Sequence, residues 1–272
     1  MTTVAVIVST YNAHEYLAKV LDGYLAQTRP PDELVIGDDG SDCSTAEVVS
    51  AFASKAKFPV RHIWHEDLGF RAGKIRNEAV KASSAEYLIF TDGDCVPDRH
   101  FVEDHIRIMK AGYFIQGKRM LVSKQASASF GYPALRKLVK MCLKGDVSGC
   151  HHLLRIPGFT VRNKGLRGIK TCNFALYRKD FLEVNGFNEE FVGWGREDSE
   201  LAVRLLKYGL KRKDVPFSAT MFHLWHEENV NESMERNEMI LAEAIKSPSF
   251  YCKNGICKET EIPNRKTRES IL

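Results

Sequence analysis

Residues 87–95, "YLIFTDGDC", place two aspartates one residue apart directly after a short apolar run. Four consecutive apolar residues followed by a turn are typical of a strand that is buried on both faces. Asp92 and Asp94 put two carboxylates on one tight turn, which makes an oxygen site suited to Mg²⁺ or Mn²⁺. Gly93 between them lets the backbone come close to a ligand. The stretch therefore predicts a buried strand that ends in a metal-binding turn.

Other interpretations of the aspartate pair are possible. An acidic turn can simply close a strand. An EF-hand loop fits poorly, because Val96 and Pro97 stand at its fifth and sixth positions, where a ligand and a glycine belong. Phosphatases of the haloacid dehalogenase type place such a pair after their first strand, whereas this pair follows the fourth predicted strand.

The sequence before this turn alternates apolar runs with helical patterns. Strands are predicted at 4–8, from 33, at 60–64 and from 87, and helices from 12 and over about 45–55 and 71–82. Such alternation predicts an α/β fold, a mostly parallel open sheet with helices on both faces. Ligands of open sheets bind beyond the carboxyl ends of the strands. Polar clusters at 9–12, 38–41 and 92–94 fall at those ends, so we expect them to share one crevice.

The chain beyond residue 112 has a looser pattern. It predicts strands near 114–122 and 171–177 and a helix over about 199–208 that ends at Gly209. Residues 247–272 are polar and aperiodic, and we expect a loosely held tail there. The glycine-rich dinucleotide fingerprint is missing after the first strand, which disfavours an NAD enzyme.

Composition limits the possible partners. The 272 residues are 44% hydrophobic, enough for a substantial core, and the net charge of +4 argues against a nucleic-acid-binding protein. Residues 118–170 carry twelve Lys and Arg residues but one acid, Asp146, so the basic charge is concentrated there.

The seven cysteines are scattered without a C-x-x-C pair, and the first residues do not show a charged n-region followed by an apolar h-region. A reduced cytosolic protein is therefore expected. Structural zinc at Cys150–His152 or at Cys252 and Cys257 is disfavoured, because no second ligand pair stands at finger spacing. No apolar run approaches the roughly 20 residues of a membrane-spanning helix, so we expect a soluble or peripherally attached protein.

Several motifs in order carry a family resemblance: "VIVSTYN", "VIGDDGS", "HEDLGFRAGKIRN" and "YLIFTDGDC". Together they resemble family 2 glycosyltransferases of the GT-A fold. Downstream, "NGFNEEFVGWGREDSEL" resembles the acceptor-side segment of β-1,4-galactosyltransferases and of chondroitin-polymerase-type bacterial enzymes. The likeness spans about residues 4–228. It divides the domain into a nucleotide-sugar-binding half, 1–112, and an acceptor-binding, catalytic half, 113–246, ahead of the tail at 247–272.

The resemblance assigns a role to each matching residue of the donor side. A nucleotide-sugar site is implied at Thr10, Tyr11, Asn12, Asp38, Asp39, Arg71, Lys74 and Asp92. Within it, Asp39 accepts hydrogen bonds from the base, and Asp92 holds the ribose and shares the metal. Asp38 and Asp39 could instead cap a turn, and Arg71 and Lys74 could form a solvated helix face.

The metal and acceptor sides are assigned in the same way. The resemblance makes Asp94 the direct ligand of Mn²⁺ or Mg²⁺, with His226, and next His223, as the late histidine ligand. Asp198 is the expected general base, Glu197 grips the acceptor sugar and Trp194 stacks on it. The alternatives are a helix N-terminus that merely carries two acids, a core tryptophan, and histidines without a ligand role.

The resemblance thus implies metal-dependent, inverting transfer of a hexose or N-acetylhexosamine from a nucleotide sugar, with UDP expected, to a glycan or lipid-linked saccharide. Bacterial surface polysaccharide or lipopolysaccharide synthesis is the expected setting. A metal-dependent phosphatase or nucleotidyltransferase, or a non-catalytic nucleotide-sugar-binding protein, remains the alternative.

One further pattern lies in the basic region. Residues 134–144, "ALRKLVKMCLK", place Leu135, Leu138, Val139 and Cys142 on one side of a helix and Arg136, Lys137, Lys140 and Lys144 largely on the other. This pattern predicts either peripheral contact with an anionic membrane surface, such as the inner membrane, or docking of a phosphorylated lipid-linked glycan. A helix packed on the domain with solvated lysines is the alternative.

Overall fold

A computed structural model describes residues 2–227 and 233–258 of the chain. The strands in chain order are β1 (Val4–Thr10), β2 (Glu33–Asp38), β3 (Val60–Trp64), β4 (Tyr87–Asp92), β5 (Cys95–Pro97), β6 (Tyr113–Gln116), β7 (Arg119–Val122), β8 (Val147–Ser148), β9 (Val161–Asn163), β10 (Asn173–Tyr177), β11 (Lys211–Asp214) and β12 (Met221–His223). The helices are α1 (His14–Leu25), α2 (Cys43–Ala53), α3 (Ala72–Ala82), α4 (Phe101–Ile108), α5 (Lys124–Ala128), α6 (Leu135–Lys144), α7 (Arg178–Glu183), α8 (Glu197–Lys207) and α9 (Met234–Lys246), with a 3-10 turn at Cys150–Leu153.

The larger sheet has eight strands in the order β3-β2-β1-β4-β10-β6-β11-β9. Its first four strands are parallel, and β10 joins them antiparallel to β4. Thr10 lies opposite Asp38, and Ser9 lies opposite Asp92. The carboxyl ends of β1, β2 and β4 therefore meet at one edge, as the sequence predicts.

Apolar side chains cover both faces of this sheet. Val4, Val6 and Val8 of β1 face a cluster that contains α1 and α2 residues, whereas Ala5 and Ile7 face a cluster built with α3, α7 and α8. A strand covered on both faces must be apolar at every position, which explains the unbroken run at 4–8. The predicted α/β layering is confirmed.

The prediction of one continuous strand near 114–122 is wrong. The chain breaks at Gly117, so that β6 joins the larger sheet while β7 joins a smaller sheet of order β5-β12-β7-β8. Gly117 N donates to Asn173 O at 2.9 Å, and a Cβ at 117 would lie 2.1 Å from Asn173 Oδ1. The close approach of Asn173 thus requires glycine at the point where the chain leaves one sheet for the other.

The prediction of a loosely held tail from 247 is wrong for its first part. Cys252 and Ile256 are buried. Asn185 Nδ2 donates to Cys252 O at 2.7 Å, and Cys257 N donates to Asn185 Oδ1 at 2.9 Å. One buried amide therefore ties residues 252–257 to the domain, while the predicted tail at 259–272 lies outside the described residues.

The cysteines also differ from the expectation of a reduced chain. A disulfide joins Cys142 of α6 to Cys150, with their Cα atoms 6.1 Å apart. The pair has no recognisable motif, and only the fold brings the two residues together. Among the helices in the two described stretches, none combines the length and apolar character that crossing a bilayer requires.

Candidate functional site

The crevice at the ends of β1 and β4 is held together by the backbone of the aspartate turn. Gly93 N donates to Ser9 O at 2.7 Å, and Ser9 Oγ donates to Asp92 Oδ1 at 3.0 Å. A Cβ at Gly93 would lie 2.8 Å from Thr10 Oγ1, so the turn closes onto β1 only with glycine at its centre. Thr10 Oγ1 is buried and has no hydrogen-bond partner among the described residues. The predicted residues Thr10 and Asp92 therefore lie side by side.

Asp38 lies below the surface of the crevice. Its Oδ1 accepts from Ser41 N at 2.9 Å, and its Oδ2 lies 2.9 Å from His62 Nε2. Burial opposes ionisation, but the hydrogen bonds to His62 and Ser41 lower the pKa of Asp38 below its ordinary value. With both oxygens occupied and no exposed surface, Asp38 closes the turn and supports the residue that follows it.

Asp39 is the acid beside it and lies at the crevice wall. Its Oδ2 accepts from Arg71 N at 2.7 Å, and its Oδ1 lies 2.6 Å from His65 Nε2. The other ring nitrogen of His65 lies 3.2 Å from Glu78 Oε2. Burial raises the pKa of Asp39 above its ordinary value, although the bonds to Arg71 and His65 favour the charged form. His65, which the sequence did not single out, therefore fixes the orientation of Asp39.

Tyr11 and Asn12 form the outer edge of the same pocket. The Tyr11 hydroxyl donates to Asp67 Oδ2 at 2.9 Å and the ring is exposed. Asn12 has a positive φ of 42°, and its Oδ1 accepts from Asp42 N at 3.0 Å. Asn12 N donates to Ser41 Oγ at 2.8 Å. The turn after β1 thus presents an aromatic face to the opening of the crevice.

Arg71 and Lys74 lie at the start of α3. The Arg71 side chain donates to the carbonyl of Glu66, and its buried Nε has no partner among the described residues. Lys74 Nζ lies 3.9 Å from Glu78 Oε1, at the distance limit of an ion pair. Arg71 N donates to Asp39, and Lys74 is linked to Asp39 only through Glu78 and His65. Their placement near a bound nucleotide stays a prediction.

Arg76 is the functional residue that the sequence interpretation missed. Its guanidinium donates to Asp92 Oδ1 at 2.9 Å, to Glu197 Oε1 at 3.3 Å and to Ser9 Oγ at 3.2 Å, and the residue is buried. Asp92 and Glu197 raise its pKa further above its ordinary value, against the effect of burial. The signal was available, because Arg76 occupies the apolar stripe of α3 between Ile75 and Ala79, where an unpaired charge is costly.

A second cluster surrounds Asp94. His226 Nε2 lies 3.0 Å and His223 Nε2 lies 3.5 Å from Asp94 Oδ2. The three ligand atoms lie within 4.8 Å of one another, whereas Asp92 groups within the same limit with Cys95 and Cys172. One carboxylate and two imidazoles suit a transition-metal dication such as Mn²⁺ better than Mg²⁺. The donor set therefore fits a metal ion at Asp94, and both predicted histidines are near it.

The cluster is charged even without an ion. The hydrogen bond to Asp94 raises the pKa of His226 to about 9, while burial lowers the pKa of His223. Burial opposes ionisation of Asp94, yet the hydrogen bond from His226 and the charge of His223 lower its pKa. A metal ion would take the place of the proton on His226.

The acceptor-side acids stand in the first turn of α8. Glu197 is buried against Arg76, and Asp198 Oδ1 accepts from Ser199 N at 2.7 Å. Burial, and next the charge of Glu197, raise the pKa of Asp198 to about 7, against the effect of Arg76. A carboxyl group poised near neutral pH is suited to accepting a proton.

Trp194 lies in the loop before α8 and is 54% exposed. Gly193 N donates to Phe70 O at 2.9 Å, and Asn237 Nδ2 of α9 reaches the carbonyl of Trp194 at 3.4 Å. Arg196, at a positive φ of 76°, donates from Nε to Glu238 Oε1 of α9 at 2.7 Å. The loop is thus held at both ends, and its indole faces outward, away from the core.

Two family models match the chain. The model of glycosyl transferase family 2 matches residues 5–184, and the model of the N-terminal domain of galactosyltransferase matches residues 151–227. The first covers every donor-side residue described above, from Thr10 to Asp94, together with Arg76. The second covers Trp194, Glu197 and Asp198 as well as both histidines.

Curated relatives are similar over most of this chain. Validoxylamine A glucosyltransferase of Streptomyces hygroscopicus subsp. limoneus is 28% identical over 228 residues, which are 76% of this chain and 48% of that protein. Chondroitin synthase of Escherichia coli is 22% identical over 92% of this chain and 39% of its own length. The chain thus spans about half the length of these relatives, or less.

Solved structures share the fold. S. aureus TarS 1–349 in complex with UDP-GlcNAc superposes with a TM-score of 0.65 at 17% identity, over 95% of this chain and 68% of that one. The same fragment in complex with UDP gives a TM-score of 0.61 at 18% identity, with the same coverage of both chains. The resemblance in the motifs is therefore confirmed: the chain has the GT-A fold and belongs to glycosyl transferase family 2.

Proposed function

We propose that this glycosyltransferase moves a hexose or N-acetylhexosamine from a UDP-sugar to a saccharide acceptor, with a divalent metal ion and with inversion at the anomeric carbon. The observation that carries the proposal is the bridge from Asp92 through Arg76 to Glu197. It brings the aspartate turn of the donor side against the acidic first turn of α8. For the acceptor to form a bond to the transferred sugar, the aspartate turn and the first turn of α8 must act on the same sugar.

The donor nucleotide is assigned to the pocket at the ends of β1 and β2. Asp39, held by His65, offers a carboxylate to the N–H group of a uracil base, and the exposed ring of Tyr11 offers a stacking face. Thr10 and Asn12 form the floor and edge of the same pocket, and Asp92 is the candidate for the ribose hydroxyls. The TarS structures hold UDP-GlcNAc and UDP on the same fold, which supports a UDP-linked donor.

Asp94, His226 and His223 are the residues that would hold Mn²⁺. The ion, when bound, supplies Lewis-acid stabilisation of the charge on the departing diphosphate. The protein's own contribution is to fix the three ligand atoms, on the aspartate turn, on β12 and on the segment that follows β12. Arg71 and Lys74 add positive charge on the nucleotide side.

Asp198 is assigned as the general base. It takes the proton of the acceptor hydroxyl while that oxygen forms a bond to the anomeric carbon, and the electron pair of the broken glycosyl bond leaves with the diphosphate. A single displacement of this kind inverts the anomeric centre. The pKa of Asp198, raised by burial to about 7, makes the carboxylate a competent proton acceptor at neutral pH. Trp194 offers its face, and Glu197 a carboxylate, to the acceptor sugar.

The acceptor is assigned by class. Relatives of this chain include chondroitin synthase of Escherichia coli and hyaluronan synthase of Pasteurella multocida. We therefore place the reaction in the synthesis of a bacterial surface polysaccharide or lipopolysaccharide, with a glycan or lipid-linked saccharide as acceptor.

The test combines binding with turnover in one variant. UDP release is measured across a donor panel with Mn²⁺, and donor binding is measured by calorimetry, for the parent and for Asp198→Asn. The expected result is loss of turnover by a factor of roughly 10² to 10⁴ with unchanged donor affinity. Normal turnover in Asp198→Asn contradicts the base assignment, and equal donor binding with and without Mn²⁺ contradicts the metal assignment.

A further inference from the structure

Helix α6 lies beside the smaller sheet and exposes most of its apolar residues. Leu138 is the one residue of this helix that is buried. Leu135, Val139 and Leu143 are 63%, 44% and 84% exposed. Residues four apart lie on one face of a helix, so these three side chains form a single exposed row. Such a row of large apolar side chains marks a surface that contacts something apolar.

Four exposed cations lie on the other faces of the helix: Arg136 and Lys140 border the row, whereas Lys137 and Lys144 lie farther round, toward the opposite side. None of them pairs with an acid in the stretches 2–227 and 233–258. Lys137, Lys140 and Lys144 line a groove of about 330 Å³ against Phe130, Pro133 and Met141, and Asp146 also lines it. The expected arrangement is thereby corrected: Leu138 packs into the core and Cys142 is in a disulfide, so Leu135, Val139 and Leu143 make up the exposed face.

We propose that α6 docks this enzyme onto an anionic phospholipid bilayer. The apolar row enters the lipid interface, Arg136 and Lys140 beside it lie at the lipid phosphates, and Lys137 and Lys144 add to the positive charge that attracts an anionic surface. Charge complementarity selects this occupant. A symmetric contact with a second copy of the chain would place Arg136 and Lys140 against their own counterparts, and a zwitterionic surface would leave the four cations without counter-charge.

Helix α6 packs against β8, and β8 is close to the candidate metal cluster. Ser148 of β8 lies opposite Leu121 of β7, and Leu121 lies opposite His223 of β12. Ser148 and His223 are two strand spacings apart, a distance of about 10 Å. Docking through α6 therefore holds the histidine side of the crevice near the bilayer, where a lipid-linked acceptor is presented. That last step rests on the proposed function, whereas the docking itself does not.

The test is cosedimentation of the full chain with vesicles of phosphatidylcholine, with or without phosphatidylglycerol. We expect binding only to the anionic vesicles, and weaker binding at high salt. The double variant L135S/L143S is expected to bind at least about tenfold more weakly. Its control, M239S/I245S, removes the same kind of exposed apolar side chain from α9 and is expected to bind as the parent does.

A second pair of variants tests the charges. K137Q/K140Q/K144Q is expected to lose about tenfold or more in binding, whereas K55Q/K57Q/K211Q, which removes three exposed lysines elsewhere, retains most of it. Hydrolysis of the donor in solution serves as the folding check, because none of these residues lies in the crevice.

Four results would overturn the proposal. They are equal binding to phosphatidylcholine alone, unchanged binding of L135S/L143S, a dimer in ultracentrifugation that L135S/L143S dissociates, and full release from vesicles by soluble pyrophosphate. Because vesicle binding needs no donor or acceptor, failure here is distinguishable from failure of the proposed reaction.

Discussion

His226 Nε2 lies 3.0 Å from Asp94 Oδ2, across the turn between β4 and β5. The contact depends on the smaller sheet, in which β12 pairs antiparallel with β5 and His223 lies opposite Cys95. β5, which follows the aspartate turn, thus also positions β12, which carries His223 and leads to His226. This pairing builds the cluster of one carboxylate and two imidazoles that we propose as the metal site.

Replacing a histidine of this cluster should weaken the metal site without unfolding the protein. His226→Ala removes one of the three candidate ligands, and we expect the Mn²⁺ concentration for half-maximal UDP release to rise about 10- to 100-fold. His151→Ala, an exposed histidine outside the cluster, is the control and should leave this concentration unchanged. Sugar transfer that persists in a chelator would contradict the metal site itself.

Asp198 should set the pH dependence of transfer. Because its pKa is raised to about 7, the base is protonated and inactive in acid. We expect kcat/KM to rise about tenfold per pH unit below 7 and to level off above it. Glu47→Gln, at an exposed carboxylate, should keep this profile. A rate that stays flat from pH 5 to 8 rules out Asp198 as the titrating base.

The Asp198 carboxyl should also make stability depend on pH. As the pH rises, it should lower the free energy of unfolding, although it raises the rate of transfer. A carboxyl with a folded pKa of about 7 retains its proton between about pH 4 and 7, where the unfolded chain has released it. The folded state then binds more protons, so this group lowers the free energy of unfolding as the pH rises through that window. Asp198→Asn removes this contribution, and thermal unfolding at pH 5 and 8 should show a smaller difference than in the parent.

Arg76 should be essential for both folding and turnover. Its side chain is 5% exposed and pairs with Asp92 and Glu197, so Arg76→Gln leaves two carboxylates without their cation. We expect the free energy of unfolding to fall by about 3 kcal/mol or more, as measured by urea denaturation. Arg107→Gln removes a more exposed pair, with Glu103, and should cost less than about 1 kcal/mol. Equal losses of unfolding free energy in the two variants would show that the Arg76 bridge contributes no more to stability than an exposed ion pair does.

Gly93 should tolerate no side chain. Alanine there would place a Cβ 2.8 Å from Thr10 Oγ1 and 2.9 Å from Thr10 Cβ, so the aspartate turn must move. We expect Gly93→Ala to lose about 1–3 kcal/mol of stability and most Mn²⁺-dependent donor binding. Gly131→Ala, where no atom lies within 4 Å of the new Cβ, is the matched control. Wild-type donor affinity in Gly93→Ala would contradict the tight closure of the turn.

The crevice itself could be predicted from the sequence because it depends on local patterns. The run at Val4–Val8 and the run before Asp92 are too apolar for half-exposed strands, and parallel strands place their carboxyl ends at one edge. Polar residues that follow such runs must then converge. The order of the motifs predicts that Asp94 and His226 share one site, and Asp94 Oδ2 lies 3.0 Å from His226 Nε2.

Other features could not be read in advance because they depend on contacts between distant segments. The break at Gly117 is set by Asn173, which belongs to a strand much later in the chain. Cys252 and Ile256 look like part of a polar tail, yet Asn185 satisfies the backbone of that segment. Arg76 could have been noticed on the apolar face of α3, but its partners on β4 and α8 are evident only in three dimensions.

A guanidinium shared between Asp92 and Glu197 has a thermodynamic consequence. Any ligand that changes the charge or position of one carboxylate alters what the other gains from Arg76. With the roles proposed above for Asp92 and Glu197, donor and acceptor binding would be linked through Arg76, and each ligand would change the affinity of the other by the same factor. That coupling, of either sign, would be carried by a single buried cation.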